Sequence, residues 1–125
     1  MKLMIVDDEA DVKTLFEQKF RREVRAGLIE LDFALSGETA LELLERKGVA
    51  DIILILSDVN MPGMNGLELL QTLKTRYPRL KVYMITAYGD EANHQRAVEY
   101  GCDDYLTKPL DFNALKHRIG LPAAS

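Results

Sequence analysis

Apolar residues recur along this chain in two alternating rhythms. Five short apolar runs, Leu3–Val6, Ile29–Leu35, Ile52–Leu56, Val82–Ile85 and the pair Tyr105–Leu106, read as strands, and a helix-like stretch follows each. After the first run, Val12, Leu15, Phe16, Phe20 and Val24 fall at steps of three and four, which predicts one apolar stripe on one amphipathic helix. In the second run Ile29, Leu31, Phe33 and Leu35 alternate with Glu30, Asp32 and Ala34, so one face is wetter, as in an edge strand. Ile52–Leu56 is unbroken aliphatic and reads as a central strand buried on both faces; Val82–Ile85 is similar, and the fifth strand is the shortest.

The helix boundaries carry separate signals. Asn65 with Glu68 three residues on predicts a capping box, and Pro78 ends that helix. Asp90 and Asp111 are suited to cap the last two helices. Gly101 fits a left-handed stop after the fourth, and Gly120 and Pro122 end the fifth early. Five strands alternating with five helices predict an α/β fold, a doubly wound parallel sheet covered on both faces. Crossovers in such a sheet are right-handed, and ligands sit at the carboxyl ends of the strands.

Size and charge narrow the classes. The chain has 125 residues, 47% hydrophobic and 29% charged, which suits one domain. We expect it over residues 1–120, with 121–125 a tail or the start of a linker. No apolar run approaches the ~20 residues of a bilayer span, and Met1–Val6 is too brief for a signal peptide. The single Cys102 excludes an internal disulfide and fits a reducing, cytoplasmic setting. It has no basic neighbour to lower its pKa, so it reads as a small, partly buried residue. The net charge of −4 argues against a broad basic face for nucleic acid or membrane.

The candidate chemistry gathers at the predicted strand ends. Asp7 and Asp8 follow the first strand, Asp58 the third, Thr86 the fourth and Lys108-Pro109 the fifth. Taken singly, Asp7-Asp8 reads as an acidic helix start and Asp58 as a turn residue before Pro62-Gly63. Together they place three carboxylates, a hydroxyl and an ammonium at one sheet edge. Two carboxylates ~4 Å apart repel by about 4 kcal/mol at an effective dielectric near 20, so the cluster needs a cation. Oxygen-only ligands suit Mg²⁺ or Mn²⁺. Lys108 and the Thr86 hydroxyl can then meet phosphoryl oxygens, and a carboxylate can attack phosphorus to give an acyl phosphate.

The stretch LMIVDDE, the segment SDVNMPGMNG, the MITAYG run and the DDYLTKPL run resemble, in order and spacing, the hallmarks of two-component response-regulator receiver domains, from Lys2 to about Ile119. The resemblance implies a flavodoxin-like sheet of order 2-1-3-4-5, as in chemotaxis regulators. It implies that Asp58 is the phosphoacceptor and that Asp8 and Asp58 ligate Mg²⁺ directly, with the Asn60 carbonyl as a third ligand and Asp7 acting through water. Lys108 resembles the phosphate-sensing lysine, followed by Pro109 after a peptide bond expected to be cis. Thr86 and Tyr105 resemble a switch pair that alters the face of the fourth helix, fifth strand and fifth helix. Asn60 and Tyr88 flank the expected path of hydrolytic water and are implied to tune the phosphorylated lifetime. The implied partners are a histidine kinase or histidine phosphotransfer protein, an output domain or protein on the switching face, and a second copy after phosphorylation. Cys102, where alanine is usual, and a short fifth helix depart from the commonest pattern.

Other readings compete. A Mg²⁺-dependent phosphohydrolase with an aspartate nucleophile usually has a second aspartate two residues on, where this chain has Asn60. A binding module that has lost phosphorylation would not need Asp58, Lys108 and both leading acidic residues. The Asp58-Val59-Asn60 segment partly resembles a calcium loop, but Pro62 and Leu69 stand at ligand positions. His94 and His117 read as surface residues. The chain is therefore expected to be a signalling switch, not a conventional enzyme.

Overall fold

The computed structural model describes residues 1–87 and 89–121. Its strands are β1 (Lys2–Val6), β2 (Glu30–Ala34), β3 (Ile52–Asp58), β4 (Val82–Thr86) and β5 (Asp104–Thr107). Its helices are α1 (Ala10–Lys19), α2 (Arg21–Arg25), α3 (Gly37–Lys47), α4 (Gly66–Arg76), α5 (Glu91–Glu99) and α6 (Phe112–Arg118). The five strands form one parallel sheet in the order β2-β1-β3-β4-β5, the expected flavodoxin-like arrangement.

The sheet divides the core in two. Along β1 and β3, side chains alternate between faces, as the two-residue period of a strand requires. Met4, Val6 and Ile55 join a cluster with Ala40, Leu44, Leu70, Leu73 and Ala97 from α3, α4 and α5. Leu3, Ile5, Leu54 and Leu56 join the opposite cluster with Phe16, Phe20 and Leu115 from α1, the turn after it and α6. A sheet so covered buries its central strands on both sides, which is why β3 carries no alternation in its sequence.

The first helical stretch does not form the single helix that its spacing predicts. At Phe20 the backbone (φ −105°, ψ 11°) leaves helical geometry, so α1 and α2 are separate and six helices replace five. The Phe20 ring stacks on Phe16 at 5.8 Å and meets Phe112 edge-on at 6.3 Å, and it has no solvent exposure. Fixing that ring turns the chain. Glu23 therefore points inward at 2% exposure, where Lys116 of α6 meets it at 3.0 Å, while Val24 is 42% exposed. Leu15, expected in the same stripe, is also exposed. Leu35 likewise lies beyond the end of β2 and is exposed.

The capping signals and the glycine stops hold, while Pro122 lies outside the described residues. Asn65 and Glu68 form the capping box of α4, and Asp90 and Asp111 accept hydrogen bonds from the Asn93 and Ala114 backbone N–H groups. Gly101 follows α5 with φ +86°, a conformation that favours glycine. Ser36 caps α3 through the Thr39 N–H, a signal the sequence reading passed over. Cys102 is half-buried beside the first core cluster, and burial raises its thiol pKa, so it is no activated nucleophile.

Candidate functional site

Strand register brings the predicted residues together. Val6 of β1 lies opposite Ser57 of β3, so Asp7 and Asp58 leave the sheet side by side. Asp58 pairs with Ile85 of β4, and Thr86 pairs with Thr107 of β5, one residue before Lys108. Asp58 and Thr86 are the last residues of their strands rather than the first residues beyond them. The sheet continues past these ends, with the Val59 N–H donating to the Ile85 carbonyl and the Lys108 N–H to the Thr86 carbonyl.

Asp7 and Asp58 are buried at 5% and 4% exposure, while Asp8 is exposed. Each offers a carboxylate oxygen, and these atoms lie within 4.8 Å of one another. Asp58 Oδ2 accepts from Lys108 Nζ at 2.9 Å, and Oδ1 accepts from the Asn60 N–H at 3.2 Å. Asp7 Oδ1 accepts from the Glu9 N–H at 2.9 Å. Loss of hydration raises the Asp7 carboxyl above its ordinary range, with the charges of Asp58 and Asp8 adding to this and the Glu9 N–H and Lys108 opposing it. For Lys108, burial works against the ammonium, and the hydrogen bond and charge of Asp58, with Asp7 and Glu9, outweigh it and raise the pKa. Three carboxylates against one ammonium leave the pocket with excess negative charge. Its hard oxygen donors therefore fit a small divalent cation such as Mg²⁺.

Local structure holds the loop after Asp58 in place. The Gly66 N–H donates to the Val59 carbonyl at 2.8 Å, and a Cβ on Gly66 would lie 2.0 Å from the Asp58 carbonyl oxygen. Only glycine permits this approach of α4 to the strand end. The Met64 N–H reaches Glu38 of α3 at 3.0 Å, bracing the turn at Pro62-Gly63. Neither bracing residue was singled out as functional from sequence, although the NG dipeptide before α4 could have pointed to Gly66. The Lys108–Pro109 peptide bond is cis.

Thr86 is buried at 2% exposure, and its hydroxyl bonds no other described residue. Tyr105 is 36% exposed on β5, and its ring lies on that of His94 from α5, with centroids 3.4 Å apart. Thr86, His94 and Tyr105 line one hollow of about 320 Å³. His94, expected as an unpartnered surface residue, is thus half-buried against the ring expected to move. His117 is exposed as expected. Tyr88 lies outside the described residues.

A family model for the response regulator receiver domain matches residues 3–120. This chain belongs to that family. Among curated relatives, the response regulator protein PilR of Pseudomonas aeruginosa is 37% identical over 120 residues, covering 94% of this chain and 25% of PilR. The heme response regulator HssR of Staphylococcus epidermidis is 39% identical over 116 residues, covering 93% of this chain and 48% of HssR. Among solved structures, a response regulator from Chloroflexus aurantiacus superposes with a TM-score of 0.81 at 32% identity, covering 94% of this chain and 93% of that one. The receiver spans 18–49% of the length of the first curated relatives. It is a receiver domain of two-component phosphorelay signalling, a family that uses Mg²⁺ in the acidic pocket. No helix among its described residues is long and apolar enough to cross a membrane.

Proposed function

We propose that this receiver accepts a phosphoryl group on Asp58 from the phosphohistidine of a histidine kinase or histidine phosphotransfer protein, and that the resulting acyl phosphate switches the face formed by α5, β5 and α6. The observation that carries this reading is the buried Asp58 carboxylate, which meets Lys108 at 2.9 Å and stands in an acidic cluster that only a cation can balance. In the transfer an Asp58 oxygen bonds to phosphorus as the phosphorus–nitrogen bond breaks, and the imidazole nitrogen leaves with the bonding pair. The transferred group is already electrophilic, so the protein's task is alignment and charge compensation. The Asn60 N–H orients the carboxylate. Lys108, now paired with Asp58, takes a phosphoryl oxygen. Mg²⁺, which Asp7, Asp8, Asp58 and the Asn60 carbonyl would hold, supplies the remaining neutralisation.

Thr86 couples chemistry to conformation. Its hydroxyl is free to donate to a phosphoryl oxygen, and moving it clears the hollow beside Tyr105. Phosphorylation can shift this equilibrium only through contacts that differ between the two states, and Thr86 and Lys108 provide them. The altered face then engages an output domain, a separate protein or a second copy. The receiver catalyses only its own phosphorylation and dephosphorylation.

The test uses acetyl phosphate as donor. With Mg²⁺ the protein should gain the mass of one phosphoryl group, and neither chelator-treated protein nor Asp58→Ala should do so. Equal labelling of Asp58→Ala, or turnover of phosphomonoesters instead of a stable stoichiometric adduct, would reject the reading.

A further inference from the structure

A second charged feature lies away from the acidic pocket. A cavity of about 690 Å³ between the end of α1, α2 and the end of α6 is lined by Lys19, Arg21, Arg22, Arg25 and Lys116, with Glu23 as the one carboxylate among its described lining residues. Among the described residues, cations outnumber carboxylates here, in a chain whose net charge is −4. The anion, moreover, is taken. Glu23 is 2% exposed and turned to Lys116, whose Nζ lies 3.0 Å from one carboxylate oxygen and 5.2 Å from the centre of the Phe20 ring. Burial alone would raise the Glu23 carboxyl, but Lys116, and more weakly Arg22, hold it below the usual range.

Lys19, Arg21 and Arg25 are exposed and hold no carboxylate among the described residues. Lys19 Nζ lies over the Phe112 ring at 5.9 Å. Glu17, one turn before Arg21, lines a neighbouring hollow with both arginines yet pairs with neither. By contrast Lys2, Lys47, Lys74, Arg76, Lys108 and Arg118 each hold a carboxylate. Arg21 and Arg25 stand four residues apart on α2, so their guanidinium forks rise from one helix face. Such forks match phosphoryl oxygens two at a time, and a nearby lysine adds a point charge.

We infer that this cavity binds a small anion carrying two or more linked phosphoryl groups. Three helix segments line it as an open hollow, and its volume is within the range of small-ligand sites, about 300–1,000 Å³. It lies at the amino-terminal edge of the sheet, where α2 leads into the start of β2, opposite the edge that carries Asp58. Binding here therefore requires neither Asp58 nor a metal ion, and the inference stands independently of the phosphoacceptor reading.

Titration with inorganic tripolyphosphate in Mg²⁺-free buffer at physiological ionic strength tests it, read by calorimetry and by backbone amide shifts. One saturable site is expected, with shifts concentrated at residues 18–26 and near Lys116, and orthophosphate at least tenfold weaker. The double variant Arg21→Gln/Arg25→Gln should lose at least tenfold in affinity with its circular dichroism unchanged. The charge-matched Lys47→Gln/Arg76→Gln should lose less than twofold. ATP binding equal to tripolyphosphate would identify the polyphosphate chain as the ligand, and tighter ATP binding a nucleotide; both support the site. Equal loss in the two double variants, dispersed shifts, or a poly-glutamate peptide binding as tightly as tripolyphosphate would overturn it.

Discussion

Replacing Asp7 by asparagine should stabilise the protein, because the acidic pocket sacrifices stability for function. Asp7 is 5% exposed, and its carboxylate offers an oxygen within 4.8 Å of oxygens from Asp8 and Asp58. At an effective dielectric near 20, one such pair repels by about 3 kcal/mol. Lys108 offsets part of this, and the solvent around exposed Asp8 screens more, leaving about 1–2 kcal/mol of net strain. Asparagine is nearly isosteric, and its Oδ1 can still accept from the Glu9 N–H at 2.9 Å. For a domain of this length, 1 kcal/mol moves Tm by roughly 3–5 °C. Asp7→Asn should therefore melt roughly 5 °C above the parent at pH 7 in chelator. Asp58→Asn should gain less, because it forfeits the Lys108 ion pair. The pH dependence follows from the raised Asp7 pKa. Such a group favours the folded state fully below its unfolded pKa, and that advantage is lost as pH rises through the folded value. The gain of Asp7→Asn should accordingly fade as pH falls through the raised folded value, and should be gone below about 4, the ordinary aspartate range. Calorimetric melts of both proteins from pH 3.5 to 7.5, in chelator, supply the comparison. An Asp7→Asn variant equal to or less stable than the parent at pH 7 would refute the crowded-carboxylate reasoning.

Three further outcomes follow from particular contacts. Gly66→Ala forces a Cβ against the Asp58 carbonyl oxygen, so it should cost about 2–4 kcal/mol in urea melts and slow phosphorylation of whatever folds. Lys116→Met strands a buried Glu23, costing about 3–5 kcal/mol at pH 7. In the parent, the depressed Glu23 pKa contributes stability above the unfolded value that is lost as pH falls through the folded one, so the difference between parent and variant should shrink in acid. His94→Ala removes the ring that lies on Tyr105, so the Tyr105 ring resonances should shift and its solvent accessibility rise before any phosphorylation; an unchanged Tyr105 spectrum would show that the contact does not hold the ring.

How far the sequence could be read depended on whether the determining contact was local. Strands and caps were legible because apolar period, Asn65 with Glu68, Asp90 and Asp111 act within one turn. The acidic cluster was legible because a parallel sheet sends every strand end to one edge, whatever the sequence distance between them. The break at Phe20 was not legible. Its cause is a ring held by Phe112, ninety-two positions away, and spacing in threes and fours continues across the break without revealing the change of phase. Glu23 was invisible for the same reason, since its partner Lys116 is 93 positions distant. His94 was read as a surface residue because α5 has no apolar stripe to orient it; only the position of β5 beside that helix puts Tyr105 against its ring.

The central claim is that Asp58 itself carries the phosphoryl group. Borohydride added to protein phosphorylated by acetyl phosphate and Mg²⁺ reduces an aspartyl acyl phosphate to homoserine, which peptide mass mapping locates without ambiguity. We predict homoserine at position 58 alone, dependent on donor and on Mg²⁺, with Asp7 and Asp8 intact. Homoserine at Asp7 or Asp8, or none at 58 in protein that has gained a phosphoryl group, would contradict the account.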